Sequence, residues 1–215
     1  VDVAADTRTR IIEAIRSRLL ADGYAGLSTR KVAEEAGVPL SQLHYHFGSK
    51  GALIIALFTE ENERLLERQS RMYAQDQPLW QRYEQACDFL EDDLESGYVR
   101  VLQEMIAAGW SNQEIGDATR ELLSGWFVLL ADVAREAEQR HGPLGPVTAE
   151  ELATLVGTAF IGSEAMLLLG CESPAMPLRS ALRRVGVLIR ELEEGSVRAR
   201  EAEDARVQIE RMTAD

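Results

Sequence analysis

The chain has 215 residues, of which 46% are hydrophobic and 27% charged, and its formal net charge is -13. This composition is typical of a folded globular protein and excludes intrinsic disorder over most of the length. No run of eighteen apolar residues occurs and no apolar signal segment opens the sequence, so we expect no transmembrane helix and no membrane association. Two distant cysteines, Cys87 and Cys171, without a secretion signal predict free thiols and a cytoplasmic location.

The charges are unevenly distributed along the chain. Residues 1–50 carry seven Lys or Arg against six acidic residues, a net charge of +1. Residues 51–215 carry sixteen basic against thirty acidic residues, a net charge of -14. Because phosphate contacts need Lys and Arg, DNA binding is plausible only for the first segment. We call the neutral-to-basic residues 1–50 the head and the acidic residues 51–215 the body. The difference in charge between them predicts two functions in one chain.

The head is predicted to have three short helices, followed by a long exit helix. Ile11, Ile15 and Leu19 recur every four residues and predict a helix over residues 7–22 that ends before Gly23. Three further segments begin with residues that favour the start of a helix and are separated by glycines or loops. They cover residues 28–36, 39–47 and 50–73.

The rest of the chain is also predicted to be helical, and no strand pattern competes. Proline and glycine place loops at residues 141–146 and 173–177. The predicted helices cover residues 79–96, 97–108, 112–140, 148–169 and 178–194. Residues 195–215 have too few apolar positions for a packed face, which predicts a charged tail that is frayed or helical only with a partner.

The third predicted helix has two different faces. At 100 degrees per residue, Leu43 and Phe47 share the inward face with Leu40 near them, while Ser41, Gln42 and Tyr45 project to the other side. His44 and His46 flank this outward face, and no acidic residue occurs from residue 37 to residue 50. Such a surface suits a helix that enters the major groove of DNA. A metal site at the two histidines is not expected, since residues two apart on a helix point in different directions.

Residues 11–53 resemble the N-terminal DNA-binding domain of the TetR family of transcriptional regulators. The matching motifs are Gly23-Tyr24, Ser28-Thr29, Val32-Ala33, Ala36-Gly37-Val38, Leu43 with Phe47, and Lys50 before Leu53. One departure is His44, where the family usually has tyrosine, so a contact with phosphate becomes sensitive to pH.

The resemblance implies which residues contact DNA. The implied phosphate contacts are Thr29, His44, His46 and Lys50, and the candidates for reading bases are Arg30, Leu40, Ser41, Gln42 and Tyr45. Gln42 suits adenine and Arg30 suits guanine.

The resemblance also implies an all-α architecture: a helix-turn-helix domain over residues 1–52, a helical effector-binding and dimerisation domain over residues 53–194, and the charged tail over residues 195–215. Aromatic and sulfur side chains that can line an effector pocket are Tyr83, Cys87, Met105, Trp110, Trp126, Phe127 and Met166, although plain core is the alternative for each. Asp88, Glu104 and Glu164 are possible orienting groups. Because the aromatic and sulfur side chains are mostly apolar, we expect the effector to be a small apolar or amphipathic molecule.

Two long helices, residues 148–170 and 178–194, combine apolar stripes with Gly157, Gly162 and Gly186, as expected for a homodimer interface or for intramolecular core. We therefore expect a ligand-responsive regulator, in the family's usual manner a repressor, that binds a palindromic double-stranded DNA operator as a homodimer. The alternative keeps DNA binding but makes the acidic body a docking surface for a protein partner. Enzyme activity is not expected, because no phosphate-binding glycine loop, nucleophile elbow or metal cluster occurs, and no cofactor or metal is predicted.

Overall fold

The computed structural model describes residues 3–143 and 145–213. Positions 1, 2, 144, 214 and 215, which belong to the predicted head, the loop at 141–146 and the tail, lie outside the described residues. The described helices are α1 (Val3–Gly26), α2 (Thr29–Glu35), α3 (Leu40–Phe47), α4 (Lys50–Tyr73), α5 (Leu79–Ser96), α6 (Tyr98–Gly109), α7 (Gln113–His141), α8 (Ala149–Leu168) and α9 (Leu178–Thr213). Apart from an isolated bridge between Ser173 and Met176, the described residues contain no β-structure, so the all-α prediction is confirmed.

Two boundaries differ from the sequence prediction. Helix α1 continues to Gly26, but Gly23 has φ 66 and ψ 173, so the predicted break occurs there as a kink inside the helix. Helix α9 continues to Thr213 instead of ending at about Glu194. Ion pairs four residues apart, from Glu194 to Arg190 and to Arg198, bridge the predicted end of α9, and no proline follows to stop the helix.

The chain divides into two compact units. The first comprises residues 1–68 and 91–126, and the second comprises residues 69–90 and 127–215. Helices α4, α5 and α7 therefore contribute residues to both units. The predicted functional boundary at residue 52 lies inside the first unit and stays a prediction.

The core of the first unit joins the head to α6 and the start of α7. Helix α1 packs against α2 and α6, and α2 packs against α3. Phe58 stacks on Tyr98 with ring centroids 6.4 Å apart. The fully buried apolar side chains of the first unit are Ile11, Ile15, Leu19, Val32, Leu43, Leu53, Ile54, Leu57, Phe58, Val99, Val101, Met105 and Ile115.

The second unit is held together by α5, α7, α8 and α9. The Tyr83 hydroxyl donates a hydrogen bond to the Leu182 carbonyl over 2.8 Å, and its ring meets Phe160 edge-on. A capping box of Thr148 and Glu151 starts α8. A Cβ atom at Gly157 would lie 2.4 Å from Phe127 Cε1, and one at Gly186 would lie 3.0 Å from Tyr83, so both glycines serve packing within the unit. A Cβ at Gly162 would meet no atom within 4 Å.

Helix α8 is the one described helix that is long and apolar enough, by length and composition alone, to cross a membrane. It contains no uninterrupted run of eighteen apolar residues. Only 22% of its apolar window is buried. A single helix of this kind is weak evidence for a membrane span, because core and interface helices have the same composition.

Candidate nucleic-acid interface and effector cavity

Helices α2 and α3 form the helix-turn-helix. Helix α2 ends at Glu35, and the left-handed Gly37 turns the chain toward Pro39, which precedes the first turn of α3. Helix α3 ends at Gly48, which also has a positive φ. The two glycines and the proline thus bound α3 as a helix of eight residues.

One face of α3 is buried and the other is solvent-exposed. Leu43 is fully buried, while Tyr45 is 86% exposed. Ser41 and Gln42 are exposed beside Tyr45, and Leu40 is 40% exposed at the N-terminal end of the helix. The outward surface therefore offers a hydroxyl, an amide, a phenol and an aliphatic group, which are groups that can read base edges in a major groove.

Two histidines lie beside this surface. His44 is exposed, and its Nδ1 lies 2.7 Å from the Gly48 carbonyl oxygen. Because a carbonyl can only accept, Nδ1 carries the hydrogen, and Nε2 of the neutral ring has a lone pair and no proton. His46 is half-buried, with its ring 5.4 Å from that of Tyr45.

The cationic groups of the head differ in their surroundings. Arg30 is exposed at the start of α2, next to the half-buried Thr29. Lys50 lies at the start of α4, with Nζ 4.3 Å from the Tyr24 ring centroid, and burial lowers the pKa of its ammonium. By contrast, Lys31 pairs with Asp22 over 3.3 Å. Arg30 and Lys50 are thus better placed than Lys31 to meet an anion.

The head matches a known family of regulators. Residues 11–57 match the sequence model described as "Bacterial regulatory proteins, tetR family". Residues 11–57 therefore form a DNA-binding domain of the TetR type. The chain is thus a DNA-binding transcription regulator of the helix-turn-helix type.

Two curated relatives and one solved structure extend the comparison. The chain is 35% identical over 65 residues to the HTH-type transcriptional regulator UidR of Escherichia coli strain K12, covering 30% of this chain and 33% of that protein. It is 26% identical over 152 residues to the nucleoid occlusion factor SlmA of Vibrio vulnificus strain YJ016, covering 69% of this chain and 77% of that protein. The fold is similar to that of the transcriptional regulator FadR of Bacillus subtilis in complex with stearoyl-CoA, with a TM-score of 0.68, 18% identity and coverage of 87% and 98%.

The seven side chains proposed for an effector pocket are divided between the two units. Tyr83, Cys87, Phe127 and Met166 belong to the second unit, and Met105, Trp110 and Trp126 belong to the first. Met105 is fully buried core of its unit. Trp110 is 83% exposed and Met166 is 42% exposed, which suits surface positions better than the wall of an enclosed pocket.

The second unit contains a small apolar cavity. Tyr83 is the one member of the proposed set that lines it. The complete lining is Tyr73, Leu79, Tyr83, Leu130, Val133, Ala134, Leu152, Ala153, Val156 and Ile189. The free space is about 30 Å³, enough for one or two water molecules.

The three possible orienting carboxylates have other partners or surroundings. Asp88 is exposed and pairs with Arg183 over 2.7 Å. Glu104 accepts a hydrogen bond from the backbone N–H of Tyr24 over 2.9 Å. Glu164 is buried on α8, outside the residues that line the cavity. A contact between Glu104 and Tyr24, 80 residues apart, carries no signal in the sequence.

Two buried charges were not predicted from the sequence. Arg82 is 1% exposed and donates from Nη1 to the Tyr73 carbonyl over 2.7 Å. Glu193 is 4% exposed and accepts hydrogen bonds from the backbone N–H groups of Leu79 and Trp80 over 2.9 and 3.0 Å. The bond of Arg82 joins α5 to the end of α4, and the bonds of Glu193 join α9 to the start of α5.

Burial decides the chemistry of Cys87. It raises the pKa of the thiol to about 11, with the Tyr83 hydroxyl as its neighbour. The thiol is therefore protonated at neutral pH and unreactive. The described residues include no group of three His, Cys, Asp or Glu side chains that could hold a metal ion.

Proposed function

We propose that the chain is a repressor that binds a palindromic operator as a homodimer and is released by a small apolar or amphipathic effector. The observation that carries the DNA-binding part is the exposed face of α3, on which Ser41, Gln42 and Tyr45 are accessible and no acidic residue occurs from residue 37 to residue 50. In this proposal, Gln42 reads the base edge of adenine and Arg30 reads the base edge of guanine. As a regulator of transcription, the protein works in the cytoplasm.

The phosphate contacts are made by Thr29, His44, His46 and Lys50. In this proposal His44 differs from a tyrosine at the same position, because its Nδ1–H is engaged by Gly48. Nε2 can then donate to a phosphate only when the ring is protonated.

The homodimer is supported by exposed apolar side chains on α8 and α9. Leu155 is 60% exposed and Leu188 is 58% exposed. Leaving such residues in water is unfavourable, whereas a self-complementary interface buries them. Two recognition helices about 34 to 36 Å apart meet successive major grooves of a palindrome.

The dimer is tested by the variant Leu188→Asp, which we expect to lower the sedimentation coefficient to that of a monomer at micromolar concentration. The matched control is Val128→Asp, since Val128 is 57% exposed on α7 and lies outside the proposed interface. A Leu188→Asp protein that stays dimeric contradicts the assignment of α9.

The effector is proposed to bind by enlarging the apolar cavity of the second unit. Its lining is almost entirely aliphatic and aromatic, which favours an apolar or amphipathic molecule. The likeness in fold to a regulator solved with stearoyl-CoA supports this class. A molecule that binds the enlarged state better than the DNA-binding state weakens operator binding by the ratio of those affinities.

A second candidate is control by a protein partner in place of a small effector. The small cavity, about 30 Å³, and the acidic body favour it. One relative is named a nucleoid occlusion factor. This candidate predicts that no small molecule alters operator binding.

The first experiment is the selection of bound fragments from genomic DNA, followed by measurement of affinity for the enriched site against salt concentration. We expect a palindrome whose specific binding is lost in the variant Gln42→Ala/Tyr45→Ala and retained in the control Gln113→Ala. Failure to enrich any sequence refutes the proposal. A screen of acyl and aromatic compounds for release of the operator then separates the effector candidate from the partner candidate.

A further inference from the structure

Glu104 of α6 binds the backbone at the kink of α1. The kink at Gly23 interrupts the helical dihedral angles of α1, and the N–H of the next residue, Tyr24, donates to Glu104 Oε2 over 2.9 Å. A Cβ atom at Gly23 would lie 3.1 Å from Glu104 Oε1, so the carboxylate lies directly against this kink. The Glu104 side chain is only 19% exposed.

The carboxylate is itself held in place. Arg100, one turn earlier on α6, donates to Glu104 Oε1 from Nε over 2.9 Å, and its Nη2 lies 2.8 Å from the same oxygen. Each oxygen of Glu104 thus has its own partner. A glutamine here would keep one acceptor but turn an amide N–H₂ group either toward Arg100 or toward the Tyr24 N–H.

Tyr24 in turn contacts a residue that we assign to phosphate binding. Lys50 Nζ lies 4.3 Å from the centroid of the Tyr24 ring, within the range of a cation–π interaction. The half-buried lysine side chain is therefore directed by the ring instead of moving freely in solvent. Glu104, Tyr24 and Lys50 form a continuous series of contacts within the first unit.

We propose that Glu104 is a positioning residue for DNA binding, which holds Tyr24 so that its ring presents the Lys50 ammonium to a backbone phosphate. Glu104 itself does not contact DNA. The inference rests on the proposed role of Lys50, and it adds the residue of α6 that determines where Lys50 lies.

A double-mutant cycle in the full-length protein tests the proposal. We expect Lys50→Ala to raise the operator Kd about tenfold or more, as for the loss of a charged contact, and Glu104→Gln to raise it about threefold or more. In the Lys50→Ala background, Glu104→Gln should change Kd by less than about 1.5-fold, because the group that it positions is absent. The control is Glu63→Gln, on the exposed side of α4, which should leave Kd unchanged.

The salt dependence separates positioning from a loss of folded protein. Losing a phosphate contact lowers the slope of log K against log salt by about 0.9 per contact, whereas a smaller active fraction leaves the slope unchanged. We expect the Glu104→Gln and Lys50→Ala variants each to show this lower slope. Tyr24→Phe, which keeps the ring, should behave as the native protein, and Tyr24→Leu should resemble Lys50→Ala.

Each adverse outcome has a distinct meaning. Additive effects of Glu104→Gln and Lys50→Ala, or an unchanged salt slope in Glu104→Gln, overturn the positioning role and leave the proposed function intact. A Lys50→Ala protein with native affinity overturns both the positioning role and the phosphate contact of Lys50. Absence of specific binding by the native protein refutes the proposed function itself.

Discussion

Helix α8 provides a matched pair of glycine substitutions with opposite expected effects. A Cβ at Gly157 would lie 2.4 Å from Phe127 Cε1 and 2.9 Å from Cζ, whereas a Cβ at Gly162 would meet no atom within 4 Å. Replacing either glycine by alanine within the helix gains about 0.5 to 1 kcal/mol of intrinsic helix stability. At position 157 the half-buried ring has to move, and overpacking of this kind costs about 1 to 3 kcal/mol.

The helix gain cancels in the comparison of the two variants. We therefore expect Gly157→Ala to be less stable than Gly162→Ala by about 1 to 3 kcal/mol, which corresponds to a difference in Tm of about 2 to 12 °C for a chain of this size. Urea and thermal unfolding at one fixed protein concentration measure this difference, since stability depends on protein concentration if the proposed dimer forms. A Gly157→Ala protein as stable as Gly162→Ala would refute the packing of Phe127 on α8. A changed dimer dissociation constant in Gly162→Ala alone would locate Gly162 in the interface.

Three further outcomes follow from buried or hydrogen-bonded groups. Glu193→Ala should lose about 2 to 4 kcal/mol of unfolding free energy, because the buried N–H of Leu79 and the part-buried N–H of Trp80 lose their acceptor, while Glu191→Ala, at an exposed position of α9, stays within about 0.5 kcal/mol in the same urea titration. Equal losses would contradict the role of Glu193 as acceptor. In native protein at about pH 7.5, iodoacetamide should label Cys171 and spare Cys87, whose pKa of about 11 keeps it protonated; equal labelling rates would contradict this. His44→Ala should weaken operator binding to a similar extent for all operator sequences, as expected for the loss of a phosphate contact, and an unchanged operator affinity would exclude His44 as a phosphate contact.

The recognition helix could be predicted because its signals are local. Leu43 and Phe47 follow helical spacing, and Gly37 and Gly48 bound the segment, so the chain positions of α2 and α3 need no information from distant residues. The burial of Leu43 and the exposure of Tyr45 agree with that pattern. The DNA contacts themselves stay predictions, because they rest on the resemblance and on the exposed face.

The sequence alone determined the helical class, the order of the helices and the TetR-type DNA-binding domain of the head, because periodicity, capping and glycine or proline breaks act over a few residues. Only the tertiary structure decided that Glu104 binds the backbone N–H of Tyr24, that Gly157 makes room for Phe127 and that the seven proposed pocket residues are divided between the two units. These facts depend on which helix faces meet, and such contacts join residues 30 to 80 positions apart. A helical pattern defines the buried side of a helix, but the partner on that side follows from the packing of the whole unit.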